Sequence, residues 1–381
     1  MRKVLLFVEF YEPGYKSGGP LQTIKNIVDV LGREVEFYIV TRDRDLGDKA
    51  PYSDVEIGTW QKVGMAKVFY LPQSMVNFGA IRELMLERSY DFVYLNSFFS
   101  FRFSILPMLV HRFVRLENKL LVAPRGEFSP GALGIKSFKK NLFLRLAKLL
   151  GLYRSSVFHA STEVEQADIE RALGKGVVTR VARDLPNVVM PSLSNSFRSL
   201  PDSTPLEVCF ISRLVPIKNL DVAVRILSAC QSHIKFTIFG SKENLAYWRR
   251  CESLLRALPS NVSWAYGGEL YPKQVKETFA RFDIFLFPTR GENYGHVIAE
   301  ALLSGTFVLI SDQTPWERVD EVGVGRAIPL GNQQEFVSEI DSWGTLTMAE
   351  RFKRKCEVQK NAVPLVIDER DVADNRALFT S

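Results

Sequence analysis

The sequence predicts an α/β protein built from two Rossmann-like, doubly wound domains that face each other across a cleft. Short β-branched and aromatic runs alternate with helical patterns along the whole chain, and several runs are continuously apolar, as in parallel strands buried on both faces. The length of 381 residues is about twice that of one domain. In sheets of this kind ligands bind beyond the carboxyl ends of strands, so polar residues at those ends are the candidates for function.

The strand candidates of the first half each precede a loop or a helical pattern: Lys3–Glu9, Val35–Thr41, Lys67–Leu71, Asp91–Ser97, Lys119–Arg125 and Val157–Ser161. Those of the second half are Val208–Ser212, Lys235–Gly240, Val262–Tyr266, Ile284–Pro288 and Phe307–Ser311. Helical patterns separate the latter: Leu220–Cys230, Leu245–Leu258, Pro272–Arg281 and His296–Ser304. The final stretch, Val363–Phe379, has a helical composition and no strand after it.

The break between the halves falls near residues 186–206, where prolines interleave with serines and asparagines and after which the βα pattern restarts. We therefore expect an N-terminal domain over residues 1–186 and a linker over residues 187–205. A C-terminal domain then covers residues 206–362. The last expected element is a C-terminal helix over residues 363–381 that packs back on the N-terminal domain.

The composition is that of an ordinary folded protein, with 46% hydrophobic and 24% charged residues, which excludes disorder, collagen and a small disulfide scaffold. The four cysteines show no CxxC spacing and predict buried thiols in a reducing compartment. No secretory or membrane-spanning segment is apparent, because the apolar run Val4–Val8 is short and Phe92–Val110 carries Arg102. These features predict a cytoplasmic protein.

The positive charge is concentrated in the first half. Residues 1–186 carry 27 Lys and Arg against 20 Asp and Glu, whereas residues 187–381 carry 22 against 23. Within residues 136–154 lie six cations and no acid, and the apolar residues there fall on one helical face: Phe138, Leu142, Leu146, Leu149 and Tyr153. This pattern fits a helix lying on an anionic membrane and fits a core-packing helix with one wet face equally well. No nucleic-acid-binding module is recognisable.

Three clusters follow strand ends. The first is the loop Glu12–Pro20, which matches neither a P-loop nor the GxGxxG fingerprint but places Gly18 and Gly19 at a helix start. Because glycine has no side chain, the backbone N–H groups there can approach an anion. Alternatively, Gly18 and Gly19 form only a tight turn. The second cluster places Arg213 and Lys218 after the first strand of the second half, where two cations can hold a diphosphate or remain solvated.

The third cluster runs from Phe285 through a loop into a helix. Glu292 lies in the loop, followed by Asn293, Tyr294 and Gly295, and Glu300 lies eight residues after Glu292 in an apolar helix. A buried carboxylate needs hydrogen-bond donors such as sugar hydroxyls, and the helix start can present N–H groups to a phosphate. The structural alternative is a helix cap, with Glu292 near the N-terminal end of the helix dipole and Glu300 on a solvated edge.

Taken together, Gly18-Gly19, the Arg213…Lys218 pair and the E-x7-E spacing of Glu292 and Glu300 resemble the retaining glycosyltransferases of the GT-B fold, specifically the large family 4. Further segments look like its bacterial surface-polysaccharide branch, which makes O-antigen and exopolysaccharide: Ala123–Leu133, Ser161 with Glu165, Thr41–Asp48 and Ser311–Trp316. The resemblance spans almost the whole chain. It implies a hexosyltransferase that uses a nucleotide-diphosphate sugar donor and a lipid-linked or oligosaccharide acceptor.

The resemblance also implies roles for the matching positions. Arg213 and Lys218 would neutralise the donor diphosphate, and Glu300 would bind the ribose hydroxyls. Glu292 would contact the transferred sugar beside the backbone of Asn293, Tyr294 and Gly295. Gly18 and Gly19 would let the first domain approach the phosphates. The first domain would bind the acceptor and the second the nucleotide sugar.

The region Arg125-Gly-Glu-Phe128 departs from many relatives, which place a histidine there near the reacting sugar. Glu127 is a candidate base or hydroxyl ligand and Arg125 a candidate for an anionic acceptor, with a structural role for both as the alternative. Asp43 and Asp45 match the metal motif of the other major glycosyltransferase fold, but we interpret them as a solvated loop and expect no divalent metal or other cofactor. The competing functions are a GT-B epimerase or hydrolase and a non-catalytic partner subunit.

Overall fold

The computed structural model describes residues 1–134, 137–194 and 201–380, and it divides into two units. The first comprises Met1–Leu185 together with Glu369–Ser381, and the second comprises Pro186–Asp368. Each unit is a largely parallel sheet covered by helices, so the predicted α/β class with two Rossmann-like domains is confirmed.

The sheet of the first unit has eight strands. In chain order they are β1 (Arg2–Phe7), β2 (Val35–Arg42), β3 (Trp60–Val63), β4 (Ala66–Leu71), β5 (Phe92–Leu95), β6 (Lys119–Val122), β7 (Ser156–Ala160) and β8 (Val178–Val181). Their order across the sheet is β3-β4-β2-β1-β5-β6-β7-β8, and only the β3–β4 pair is antiparallel. The helices are α1 (Gly19–Leu31), α2 (Phe78–Leu86), α3 (Leu106–Val114), α4 (Pro130–Gly134), α5 (Ser137–Leu149) and α6 (Glu163–Leu173).

The sheet of the second unit has six parallel strands in the order β11-β10-β9-β12-β13-β14. They are β9 (Leu206–Ile211), β10 (Ile234–Phe239), β11 (Val262–Gly268), β12 (Ile284–Phe287), β13 (Phe307–Ser311) and β14 (Gly325–Ile328). The helices are α7 (Leu220–Ser228), α8 (Leu245–Arg256), α9 (Pro272–Phe279), α10 (His296–Leu303), α11 (Gln333–Gly344) and α12 (Met348–Val366).

Central strands are buried on both faces, which explains their continuously apolar sequences. In β1, Val4 and Leu6 join one hydrophobic cluster while Leu5 and Phe7 join another on the opposite face of the sheet. Burying one such side chain contributes about 1.5–3 kcal/mol. The strands that the sequence did not predict are β3, β8 and β14, which lie at sheet edges. Edge strands need no continuous apolar run, and β3 and β8 are half-exposed.

The chain ends on the first unit. A last helix, α13 (Glu369–Ala377), is followed by Phe379, whose ring packs edge-on at 5.6 Å from Phe37 and 6.2 Å from Phe92. The single helix predicted over residues 363–381 is wrong in its start. Residues 363–366 complete α12, which contains Pro364, and the chain is extended at Ile367 before α13 begins. Proline removes a backbone donor and so weakens the turn in which it lies.

Within the basic stretch 136–154, residues 137–149 form α5 and residues 150–154 form a turn. Lys136 and the side chain of Phe138 lie outside the described residues. The predicted single apolar face is split. Leu142, Leu146 and Leu149 are exposed, whereas Tyr153 lies beyond the end of α5 and is buried. The helix ends at Leu149, so helical periodicity no longer applies to Tyr153. In the described ranges no helix combines the length and the hydropathy that crossing a bilayer requires.

Candidate active site

Two loops at the carboxyl edge of the second sheet are tied together. After β9 the chain makes a short 3-10 turn, Pro216–Lys218, and Asn219 takes a left-handed conformation (φ 58°) before α7. After β12, the Arg290 backbone N–H donates to the Ile217 carbonyl at 2.8 Å and its guanidinium donates to Asn219 at 2.8 Å. These bonds fix the position of Lys218 relative to the loop that carries Glu292.

Lys218 and Glu292 form an ion pair. Their side chains are only 16% and 12% exposed, and the ammonium also lies 5.5 Å from the centre of the Phe287 ring. The Thr289 hydroxyl lies 3.4 Å from the same carboxylate oxygen of Glu292. The structure thus brings together two residues that the sequence analysis assigned to different parts of a donor. Because Glu292 is paired with a cation and a hydroxyl, attack by its carboxylate on a sugar carbon would compete with both contacts.

Arg213 is more open. Its guanidinium donates to Glu243 at 3.1 Å, with both side chains close to half-exposed. Exposed ion pairs of this kind are worth about 0–1 kcal/mol, so an anionic ligand can compete for the guanidinium at little cost. Glu243 follows β10 at the same sheet edge and was missed by the sequence analysis. Its position after a strand end was the available signal.

The start of α10 is built on a glycine. Gly295 caps the helix with φ 81°, and a Cβ there would lie 3.1 Å from the Ile298 side chain. The preceding Tyr294 is buried, and its carbonyl accepts a hydrogen bond from the Trp316 indole at 2.5 Å. This anchor holds the backbone of Asn293, Tyr294 and Gly295 so that the first turn of α10 opens at the carboxyl edge of the sheet, a suitable place for an anion or hydroxyl.

Glu300 lies in the second turn of α10. Desolvation raises the pKa of its carboxyl to about 7, and the positive charge of Lys276 opposes that shift only in part. Among the described residues its carboxylate has no hydrogen-bond partner. Lys276 donates instead to the carbonyls of Asn187 (2.6 Å) and Val189 (2.5 Å), and burial lowers the pKa of its ammonium to about 8. A desolvated carboxylate without a donor is suited to binding ligand hydroxyls.

In the first unit, Gly18 precedes α1 with φ 70°, and a Cβ there would meet no atom within 4 Å. Gly19 is the first residue of α1, whose first turn contains no acidic side chain. The loop before them is anchored by Asp45, whose carboxylate accepts from the N–H groups of Tyr15 (2.8 Å) and Lys16 (3.2 Å). The interpretation of Asp43 and Asp45 as a solvated loop is therefore wrong, because both are buried and hydrogen-bonded.

Arg125 lies in a buried network rather than at an open surface. Its guanidinium donates to Asn96 (2.7 Å), Asp184 (2.7 Å) and the Tyr94 hydroxyl (2.6 Å), and its side chain is 6% exposed. Tyr94 contacts His159 in turn, where burial and then the charge of Arg125 lower the imidazole pKa to about 4. These contacts favour the structural alternative for Arg125 over a direct contact with an anionic acceptor.

Glu127 is also engaged internally. Its carboxylate accepts hydrogen bonds from the Ser97 hydroxyl (2.8 Å) and from the N–H groups of Phe98 (2.6 Å) and Phe99 (3.0 Å). Burial nevertheless raises the pKa of Glu127 above its ordinary value. With both oxygens occupied, Glu127 joins the loops after β5 and β6, which again favours the structural alternative. In residues 1–134, 137–194 and 201–380, no group of three His, Cys, Asp or Glu side chains is arranged to hold a metal ion.

Comparison with known proteins places this geometry in context. Residues 193–357 match the family model of glycosyl transferases group 1. Over 214 residues the chain is 28% identical to a GDP-mannose-dependent alpha-mannosyltransferase of Mycobacterium tuberculosis (strain CDC 1551 / Oshkosh). That alignment covers 53% of each protein, so the chain spans about half the length of this curated relative.

Solved structures match almost the full length at low identity. Anabaena HepE, crystallised with UDP-glucose, has a TM-score of 0.72 and 18% identity over 99% of this chain and 98% of that one. Sucrose-phosphate synthase from Thermosynechococcus elongatus has a TM-score of 0.75 and 15% identity over 100% and 98%. These similarities show the fold. The chain therefore has the GT-B fold predicted from its sequence, and its residues 193–357 resemble the glycosyl transferases group 1.

Proposed function

We propose that this chain is a retaining glycosyltransferase that moves a sugar from a nucleotide-diphosphate donor to a lipid-linked or oligosaccharide acceptor. The observation that carries the proposal is the sheltered Lys218–Glu292 pair at the carboxyl edge of the second sheet. The Glu300 carboxylate supports it further, because among the described residues it accepts no hydrogen bond. Glu300 lies on α10, the helix that follows the Glu292 loop. The names of the relatives add support, since they include a mannosyltransferase and a protein crystallised with UDP-glucose.

The cations would act on the leaving group. As the bond between the anomeric carbon and the diphosphate oxygen breaks, negative charge grows on the phosphate, and Arg213 and Lys218 would stabilise it. The acceptor oxygen would form its bond on the same face and pass its proton to the departing phosphate, which retains the configuration. No enzyme nucleophile is needed, in keeping with the ion-paired state of Glu292.

The remaining positions would hold the donor. Glu300 would accept hydrogen bonds from the ribose hydroxyls, and these hydroxyls would supply the hydrogen-bond donors that its carboxylate lacks. The backbone of Asn293, Tyr294 and Gly295, with Glu292, would contact the transferred sugar, and Gly18 and Gly19 would approach the phosphates. Because side-chain cations supply the positive charge, we expect transfer to persist in the presence of a metal chelator.

The acceptor and the cellular role extend the proposal. We place the enzyme in bacterial surface polysaccharide biosynthesis, such as lipopolysaccharide assembly, in the cytoplasm and peripherally on the inner face of the plasma membrane. Exposed leucines on α5 and the basic stretch 136–154 support contact with an anionic membrane surface. Arg125 and Glu127 would shape the acceptor region through the loops that they join.

Product analysis tests the activity and separates the alternatives. The protein is incubated with a panel of nucleotide sugars, with and without saccharide acceptors. Transfer should require acceptor, and Lys218→Ala should reduce it by about 100-fold or more, the usual cost of losing one donor to a developing anion. Lys273→Ala, which removes an exposed lysine of the same unit, is the matched control.

Donor turnover without acceptor would instead identify an epimerase or hydrolase. Failure to bind any nucleotide sugar would identify a non-catalytic subunit. Equal transfer by Lys218→Ala and Lys273→Ala would remove Lys218 from the mechanism.

A further inference from the structure

A basic cavity of about 700 Å³ lies in the first unit, away from the residues assigned to the sugar donor and the acceptor. Its lining includes four cations and no acidic side chain: Arg112, Arg115, Lys148 and Arg154. Leu149 and Leu150 also line it and are 82% and 49% exposed. The cavity therefore combines concentrated positive charge with exposed apolar side chains.

The cavity lies at the amino edge of the sheet. Its lining comes from the segments just before three parallel strands, namely Arg115 and Leu116 before β6, Arg154 and Ser155 before β7, and Gly176 and Val177 before β8. The glycine pair and the Arg125 loop follow the carboxyl ends of β1 and β6. Since these strands are parallel, the basic cavity and the candidate site residues of this unit occupy opposite edges. The cavity is thus a separate feature and not an extension of that site.

The four cations have no ion-pair partner among the described residues. Helix dipoles account for part of the arrangement, because Arg112 and Lys148 lie in the last turns of α3 and α5, where a cation is favourable. Arg115 and Arg154 lie beyond the helix ends, Arg115 in a left-handed conformation (φ 56°). Like charges gathered around one cavity repel each other unless an anion is present.

The neighbouring sequence adds to the excess of positive charge around the cavity. Between Arg102 and Arg154 the chain carries only two acids, Glu117 and Glu127. Glu127 is taken up by the hydrogen bonds described above and so does not neutralise the surface. A phosphate group satisfies several guanidinium and ammonium donors at once, and arginine suits it particularly well.

We propose that the basic cavity binds the phosphate head group of an anionic membrane lipid, with Leu149 and Leu150 entering the acyl boundary. Charge complementarity selects the phosphate, and the two exposed leucines select a lipid over a soluble ion. The site would dock the amino edge of the first sheet on the bilayer. The inference rests on the membrane contact named under the proposed function and gives that contact a defined binding site.

Vesicle co-sedimentation of the full chain tests the proposal. The protein should bind vesicles containing phosphatidylglycerol, bind neutral phosphatidylcholine vesicles far less, and dissociate as salt is raised. The triple variant Arg112→Ala, Arg115→Ala, Arg154→Ala should bind anionic vesicles about 100-fold more weakly, from roughly one factor of five per cation. The control variant Lys49→Ala, Lys62→Ala, Arg82→Ala removes the same charge from other exposed positions of the unit and should bind like wild type.

A second variant isolates the apolar contribution. Leu149→Ser replaces a side chain that is 82% exposed, so it should leave the fold intact and still weaken vesicle binding several-fold. Circular dichroism melts of all variants check folding. Sugar transfer to a soluble acceptor should be unchanged in every cavity variant, so a failure of docking and a failure of the proposed function are distinguishable.

Three outcomes would overturn the proposal. Equal binding by the two triple variants would show that the cavity is not the site. Equal binding of wild type to neutral and anionic vesicles would exclude head-group recognition. Displacement from vesicles by millimolar inorganic phosphate at constant ionic strength would assign the cavity to a soluble phosphate instead of a lipid.

Discussion

At the scale of single residues, the Glu300 carboxylate has the environment expected of the ribose ligand that we propose. Its carboxylate is desolvated within α10 and lacks a hydrogen-bond donor among the described residues, which raises its pKa to about 7. The chain therefore bears a cost at neutral pH that a ligand with hydroxyl groups would relieve. In the proposed role, Glu300 would favour ligand binding at the expense of stability.

The variant Glu300→Gln tests whether the ionised Glu300 carboxylate lowers the stability of the protein. In the wild type the folded state holds the proton between the ordinary carboxyl pKa and about pH 7 while the unfolded state releases it, so stability falls as the pH rises through that window. The neutral amide removes this dependence. We expect urea unfolding to show a gain in stability at pH 8 that shrinks towards pH 4.5, together with weaker nucleotide binding. A gain of equal size at both pH values would refute the assigned desolvation.

Arg125 provides the opposite case, a charge whose partners are all internal. Replacing it by alanine removes its buried ion pair with Asp184, and breaking such a pair from one side costs about 3–5 kcal/mol. Arg318→Ala, at an ion pair whose two side chains are 70% and 64% exposed, should cost less than about 1 kcal/mol. Urea titrations of the two variants measure both values. A small loss of unfolding free energy for Arg125→Ala would instead favour a direct contact between Arg125 and an anionic acceptor.

At the scale of elements, the start of α10 depends on Gly295. A side chain there would be strained by the left-handed backbone and would crowd Ile298. We expect Gly295→Ala to destabilise the protein by about 1–2 kcal/mol and to weaken donor binding. The control is Gly331→Ala, where a Cβ meets open space and the backbone is ordinary. Identical unfolding midpoints and donor affinities for the two variants would contradict this account of the helix start.

The elements that the sequence predicts well are those governed by local pattern. The apolar runs of β1, β12 and β13 are buried on both faces, so composition alone identifies them. Strand β3 escaped prediction because it is a short edge strand whose side chains are only partly buried. The candidate positions Lys218, Glu292 and Glu300 were also found from the sequence. Their partners were not, since the ion pair of Lys218 joins residues 74 positions apart.

At the scale of the whole molecule, the chain returns to its first unit after completing the second. Phe379 is buried against Phe37 and Phe92, and Arg376 forms an ion pair with Glu34 at 2.6 Å. The aromatic contacts dominate, because the ion pair is exposed. The C-terminal segment is therefore part of the core of the first unit and not a tail.

Phe379→Ala tests whether the stability of the first unit depends on the C-terminal segment. Removing a buried phenylalanine costs about 3–5 kcal/mol, borne by the first unit. Hydrogen exchange followed by mass spectrometry should show faster exchange in β1, β2 and β5, with β9, β12 and β13 unchanged. Arg376→Ala is the control and should alter neither set. Faster exchange across the second unit, or none at all, would contradict the assignment of the segment to the first unit.

In the proposed function, the carboxyl edge of the second sheet holds a nucleotide diphosphate through Lys218. Isothermal titration of wild type and Lys218→Ala with a nucleoside diphosphate and with the matching nucleoside tests it most directly. Lys218→Ala should bind the diphosphate at least tenfold more weakly, because it lacks the cation at the phosphates, while its affinity for the nucleoside should be unchanged. Equal loss for both ligands, or no loss for either, would contradict it.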